Sequence, residues 1–243
     1  PPENDFLPTL EDWEAAASSK ATAIVINHPG NPTGTVPSLD YLTQVYGFAA
    51  KHDLYVISDE VYERLLYDGT QHHCFATIPG AKERTLLVNS FSKTYAMTGW
   101  RLGYAVWPDS LVDHATRLAI NCHSCVNAPT QWAGKAALEG PQDDVDKMMV
   151  AFEERRRVIV SELNQVPGFR CTEPGGAFYA FPNIEGTGMK AQALQEKLLE
   201  EAGVAVIAGT SFGGFGEGYL RFSYANSTEN IVEAIARIRK CLA

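Results

Sequence analysis

The chain has 243 residues, of which 45% are hydrophobic, and it carries 20 Lys and Arg against 29 Asp and Glu for a formal charge of −9. That is enough apolar material for a sizeable core, arranged as one large domain or two unequal ones. The basic residues are scattered, which excludes a clear electrostatic footprint for nucleic acid or an anionic membrane and leaves small anions to be held by local sites.

The first 19 residues are proline-rich and acidic. Residues 21–27 form a short apolar run, rich in branched side chains and stopped by Pro29 and Gly30, which predicts a buried strand. Pro37 and Ser38 open a segment with Leu39, Leu42, Tyr46 and Ala49 at helical spacing, and further strands are predicted over residues 54–58 and 85–89. Such alternation implies parallel βαβ units, whose ligands gather beyond the carboxyl ends of the strands. Residues 101–107 predict another strand, followed by helical sequence to about residue 165 that includes a charged, proline-free stretch over 142–165. The remainder mixes short strands predicted over 169–172, 177–181, 204–207 and 219–224 with two helices. The last helix is capped by Ser227 and places Ile231, Ile235, Ile238 and Leu242 on one face. The expected organisation is a larger α/β domain over residues 1–145 and a smaller α+β domain over 146–243.

Three consecutive strand ends carry Asn31 in Asn-Pro-Thr-Gly, Asp59 in Ser-Asp-Glu-Val-Tyr and Lys93 in Ser-Phe-Ser-Lys. Taken singly these are a turn residue, a helix cap and a solvated amine. Together, and in this order, they resemble the fold type I pyridoxal-phosphate enzymes, specifically class I aminotransferases of the aspartate aminotransferase type. The resemblance runs through Asn31-Pro32-Thr33-Gly34, Asp59-Glu60-Val61-Tyr62, Ser90-Phe91-Ser92-Lys93, Met97-Thr98-Gly99-Trp100-Arg101-Leu102-Gly103, Gly175-Gly176-Ala177-Phe178-Tyr179 and Arg221-Phe222-Ser223-Tyr224. It covers nearly the whole chain.

The resemblance implies a mainly parallel sheet with helices on both faces plus a smaller C-terminal domain, with pyridoxal 5'-phosphate as cofactor. Lys93 is the amine that forms the Schiff base with the cofactor aldehyde and then shuttles a proton at the substrate α-carbon. Asp59 is the carboxylate that keeps the pyridine nitrogen protonated. Tyr62 and Asn31 are implied at the phenolic oxygen, with Ser90, Arg101 and Ser92 at the phosphate. Arg221, with Asn31 beside it, is implied to bind the substrate carboxylate. Without that resemblance an edge-strand arginine paired with Glu217 is the ordinary reading. The implied reaction is a ping-pong transfer of an amino group from an α-amino acid to a 2-oxo acid, in a homodimer.

Two departures accompany the resemblance. Ala208 stands where relatives commonly have proline before Gly209, and the long N-terminal portion of relatives, with its phosphate loop and ring-stacking aromatic residue, is not located in this sequence. The same fold also supports carbon-sulfur β-lyases, and an aminotransferase-like domain can serve as the sensing module of a transcription regulator.

Other features are discounted. Cys122-His123-Ser124-Cys125 has metal or redox spacing but lacks a second pair and falls in a predicted helix, so no metal is expected. The glycine-rich stretch 212–219 lacks a P-loop pattern and is expected to be a turn. Trp100, Trp107 and Trp132 are expected in the core. No apolar run reaches the roughly 18 residues of a membrane helix, and the polar start is unlike a signal peptide. With five cysteines in an odd, sparse set, a cytoplasmic location is expected.

Overall fold

The structure is a computed structural model describing residues 2–243. It forms two compact units: one holds the chain up to Pro29 together with Thr35–Val145, and the other holds Gly30–Gly34 together with Asp146–Ala243.

In the first unit, α1 (Leu10–Ala16), β1 (Ala23–Asn27), α2 (Leu39–Lys51), β2 (Tyr55–Asp59), β3 (Thr85–Ser90), α3 (Phe91–Thr94), β4 (Gly103–Val106), α4 (Val112–His123) and α5 (Ala128–Glu139) follow in order. The sheet runs β1-β2-β3-β4, parallel across the first three strands and antiparallel between β3 and β4. Parallel neighbours need a crossover, and α2 supplies the one between β1 and β2. Ser38 starts that helix, its hydroxyl accepting the Tyr41 N–H at 3.2 Å. Leu42, Val45 and Ala49, spaced to share one helix face, are fully buried against Ile24, Ile26 and Val56. Along β2 the side chains alternate, so Val56, Ser58 and the following Glu60 are buried while Asp59 takes the opposite face. That alternation sends two consecutive carboxylates to opposite faces.

Two of the tryptophans correct an expectation. Trp100 is 52% exposed and Trp132 69% exposed. The buried positions of α5 are Thr130 and Gly134, and a residue two places from each points the other way.

The second unit contains α6 (Asp143–Leu163, entering at the unit boundary), β5 (Tyr179–Ala180), α7 (Ala191–Ala202), β6 (Ile207–Ala208), β7 (Leu220–Ser223) and α8 (Thr228–Leu242). Its strands are antiparallel in the order β5-β7-β6. Ile231, Ile235 and Ile238 are buried along α8 behind the Ser227 cap, as the spacing predicts.

The strands of this unit are shorter than expected for identifiable reasons. Residues 169–172 make only the single bridge Arg170↔Asn183, because the Asn164 side chain takes both the N–H and the carbonyl of Cys171. The stretch predicted over 177–181 starts late, since Ala177 is left-handed at φ 59. Residues 204–207 give way to β6 because the Val204 N–H closes the end of α7 on the Leu198 carbonyl at 2.9 Å. Ala208 uses its N–H on Gln195 Oε1 at 2.6 Å, a bond that proline at this position would lack.

Candidate active site

In the first unit the expected cofactor residues stand at the ends of β2 and β3. Asp59 closes β2, and its Oδ1 accepts the Val61 N–H at 3.3 Å, which turns the chain toward Tyr62. Burial raises the Asp59 pKa above its ordinary value; the Val61 N–H opposes this, Glu60 adds to it and Lys93 opposes it. Lys93, in α3 directly after β3, places its Nζ 5.7 Å from the centre of the buried Tyr62 ring. The structure therefore brings Asp59, Tyr62 and Lys93 together. Ser90 caps α3, its Oγ accepting the Ser92 N–H at 3.0 Å and donating to the Leu102 carbonyl at 3.2 Å. Arg101 is left-handed at φ 56 and exposed, with Nη1 donating to the Thr98 carbonyl at 2.8 Å.

The cysteine pair is not within one helix as expected. Helix α4 ends at His123, Ser124 turns with φ 60, and Cys125 lies beyond it, with both thiols free and exposed.

In the second unit, Arg221 lies on β7, the middle strand rather than an edge. Its Nη1 donates to Asn31 Oδ1 at 2.9 Å, and its guanidinium carbon lies 4.5 Å from the Tyr179 ring centre and 5.0 Å from that of Phe212. Glu217 does not pair with it; Glu217 Oε1 accepts the N–H groups of Ala191 and Gly218 at 2.9 and 3.0 Å. The Arg221 Nε is buried without a hydrogen-bond partner among the described residues. An unanswered N–H on a stacked cation is costly, and a planar anion answers it.

Asn31 reaches Arg221 because its loop is fastened to this unit. Gly34 donates to the Gly30 carbonyl and accepts from the Gly176 N–H, both at 2.8 Å, and has φ 70. A Cβ there would sit 2.3 Å from Pro174 Cβ and 2.9 Å from the Gly176 carbonyl oxygen. Gly34→Ala is therefore expected to destabilise the protein by at least about 1 kcal/mol. Urea unfolding checks this; an unchanged midpoint would count against the fastening.

Sequence reasoning passed over a buried polar hub beside Asp59. Glu60 Oε1 accepts from Ser58 Oγ at 2.8 Å and from the Phe75 N–H at 2.9 Å, and Oε2 lies 2.7 Å from His72 Nε2. His28 Nε2 lies 3.1 Å from Ser58 Oγ, and its ring stacks on His72 at 5.0 Å. The available signal was a Ser-x-Glu alternation on a core-facing strand, where buried polar groups demand partners. Glu63 also comes near, its carboxylate within 4.8 Å of the Glu60 and His72 atoms. His72 Nε2 and Glu60 Oε2 are already engaged with each other.

Burial pushes the His28 pKa down from 6.5 to about 4, against the pull of Glu60. Between those values the unfolded chain binds a proton that the folded chain refuses, so stability falls as pH drops through this window. The loss is on the order of 3 kcal/mol. Urea midpoints at pH 7 and 4.5 should separate more in the wild type than in His28→Gln; equal separation would contradict it.

Lys93 and Asp59 stand at strand ends of a mixed, mostly parallel sheet, and solved structures match this fold over nearly all of this chain. The aromatic aminotransferase from Pyrococcus horikoshii OT3 superposes with TM-score 0.95 at 38% identity, over 99% of this chain and 65% of that one. The aspartate aminotransferase from Rhizobium meliloti gives 0.94 at 34%, over 100% and 63%. The chain belongs to the class I and II aminotransferase family, whose model it matches over residues 1–238. It is 44% identical over 237 residues to the putative aminotransferase YugH of Bacillus subtilis, covering 98% of this chain and 61% of that protein. To an aspartate aminotransferase of Pyrococcus horikoshii it is 43% identical over 242 residues, covering 99% and 61%. The chain thus spans about three fifths of the length of these relatives.

Proposed function

We propose that the protein is a pyridoxal-phosphate-dependent aminotransferase that moves an amino group from an α-amino acid to a 2-oxo acid. The observation that carries this reading is the grouping of Lys93, Tyr62 and Asp59 at neighbouring strand ends, with the Lys93 ammonium near the Tyr62 ring and electrostatically coupled to Asp59. These residues fit the cofactor: an acceptor-only carboxylate held partly from water, an amine close to a phenol ring, and hydroxyls of Ser90 and Ser92 on the turn that carries the amine.

When bound, pyridoxal 5'-phosphate supplies an aldehyde carbon for the amino group and a ring that accepts the electron pair left at the substrate α-carbon. Asp59 holds a proton at the ring nitrogen, and its raised proton affinity makes it a strong acceptor there. Lys93 moves the proton at the substrate α-carbon. Tyr62 would bind the phenolic oxygen, and Ser90, Ser92 and Arg101 would bind the phosphate. Arg221 and Asn31 bind the substrate carboxylate, which would answer the buried Arg221 Nε. That grip reads only what all α-amino acids share.

The test is an amino-donor screen read by the cofactor absorption change in the half-reaction, with product analysis. Conversion of the cofactor to its amine form supports transamination. Release of thiol or ammonia with no such conversion would assign a lyase instead. Asp59→Ala is expected to retain some cofactor and lose most α-proton exchange with deuterated solvent; normal exchange would remove Asp59 from its role. The family reading also carries a homodimer, which light scattering tests, and a cytoplasmic setting, which cell fractionation tests.

A further inference from the structure

Asp59 and Glu60 are consecutive carboxylates on opposite faces of one strand end. Asp59 is half-buried and feels Lys93. Glu60 is fully buried, and both of its oxygens are engaged by Ser58, Phe75 and His72. A carboxylate receiving several donors stays ionised even out of water. Burial alone would raise its pKa, yet the donors and His28 bring it below the ordinary value. The thiol of Cys74 senses the same anion, its pKa pushed up to about 11 by burial and then by Glu60.

The backbone converges at the same point. The His28 N–H and the Asn27 side-chain amide both donate to the Asp59 carbonyl, at 3.0 and 3.2 Å, and the Glu60 N–H donates to the Val88 carbonyl at 2.9 Å. Strands β1, β2 and β3 are therefore tied through the Asp59–Glu60 peptide. The titratable groups facing the hub are His28, His72, Cys74, Glu63 and, more remotely, Tyr104; His73 faces His28 and Lys93 faces Asp59.

We propose that Glu60 is a positioning residue for Asp59: its anchored side chain pins the strand end that presents Asp59 and sets a fixed negative charge behind it. The proposal rests on reading Asp59 as the partner of the cofactor ring nitrogen. An anion behind Asp59 disfavours its ionisation, so Asp59 becomes a stronger acceptor and the neighbourhood favours a proton on the ring. Glu60 itself touches neither cofactor nor substrate in this scheme.

The test uses the full-length protein without cofactor, labelled with 13C at aspartate side-chain carboxyl carbons. The Asp59 resonance is the one missing from Asp59→Asn. In Glu60→Gln, which keeps shape and one acceptor, the Asp59 titration midpoint should move to lower pH. Amide exchange at His28 and Glu60 should quicken by about tenfold or more. A folded Glu60→Gln protein with an unmoved midpoint overturns the proposal. Should that variant fail to fold, Ser58→Ala removes one anchor and keeps the charge; faster exchange at the same two amides supports the positioning role, and unchanged exchange overturns it. Neither readout involves cofactor. If instead Asp59→Asn binds cofactor and exchanges the α-proton like wild type, the ring-nitrogen reading fails while these readouts stand.

Discussion

Lys93→Ala is expected to be inactive and folded. The residue is the third of a four-residue helix whose local structure depends on the Ser90 cap and the buried Phe91 and Thr94, none of which involves the amine. Loss of proton transfer alone should lower turnover by about 100-fold to 10,000-fold. Loss of the covalent anchor adds to that. Stopped-flow half-reactions with an amino donor, set beside thermal unfolding, separate activity from folding. Borohydride treatment of the loaded wild-type protein followed by peptide mapping should attach cofactor at Lys93. Attachment at another lysine would end the assignment.

Arg221→Lys is expected to act on capture of substrate. Asn31 and the rings of Tyr179 and Phe212 hold a flat guanidinium, and an ammonium can neither fill that slot nor present a two-pronged donor. A hydrogen bond to a charged group contributes about 1.5 to 3 kcal/mol, so kcat/KM should fall by about 10-fold to 150-fold. The loss should lie mainly in KM and appear with every amino donor, since the carboxylate is common to all. A variant as efficient as wild type with each donor tried would take Arg221 out of the site.

Local pattern made much of this legible. Apolar runs beside helical spacing located β1, α2, β2 and β3, because a parallel sheet covered on one face by a helix leaves those periods in the sequence. Motif order then pointed to Asp59, Lys93 and Arg221. The second unit was harder, because its strands are only two to four residues long and their ends are set by distant partners: Asn164 for Cys171, and the end of α7 for Val204. The Glu60 hub was missed for a related reason. His28 and His72 are far in sequence from the Ser58–Glu60 pair, and what unites the four is contact at the core face of β2 and its end. The tryptophans misled because aromatic size argues for burial only where a helix turns that residue inward, and α5 turns Trp132 outward.

The membership of Gly30–Gly34 in the second unit bears on how the protein can be dissected. The chain passes between the units after Pro29, after Gly34 and again after Val145, so the second unit is discontinuous in sequence. A fragment starting at Asp146 would carry Arg221 but lack Asn31, and Gly176 would lose the carbonyl it donates to. No single cut yields the whole second unit. Insertions, domain exchanges and split-protein designs must carry the five-residue loop along or supply its equivalent, and an exchange made at residue 145 alone would join one parent's asparagine to another parent's arginine.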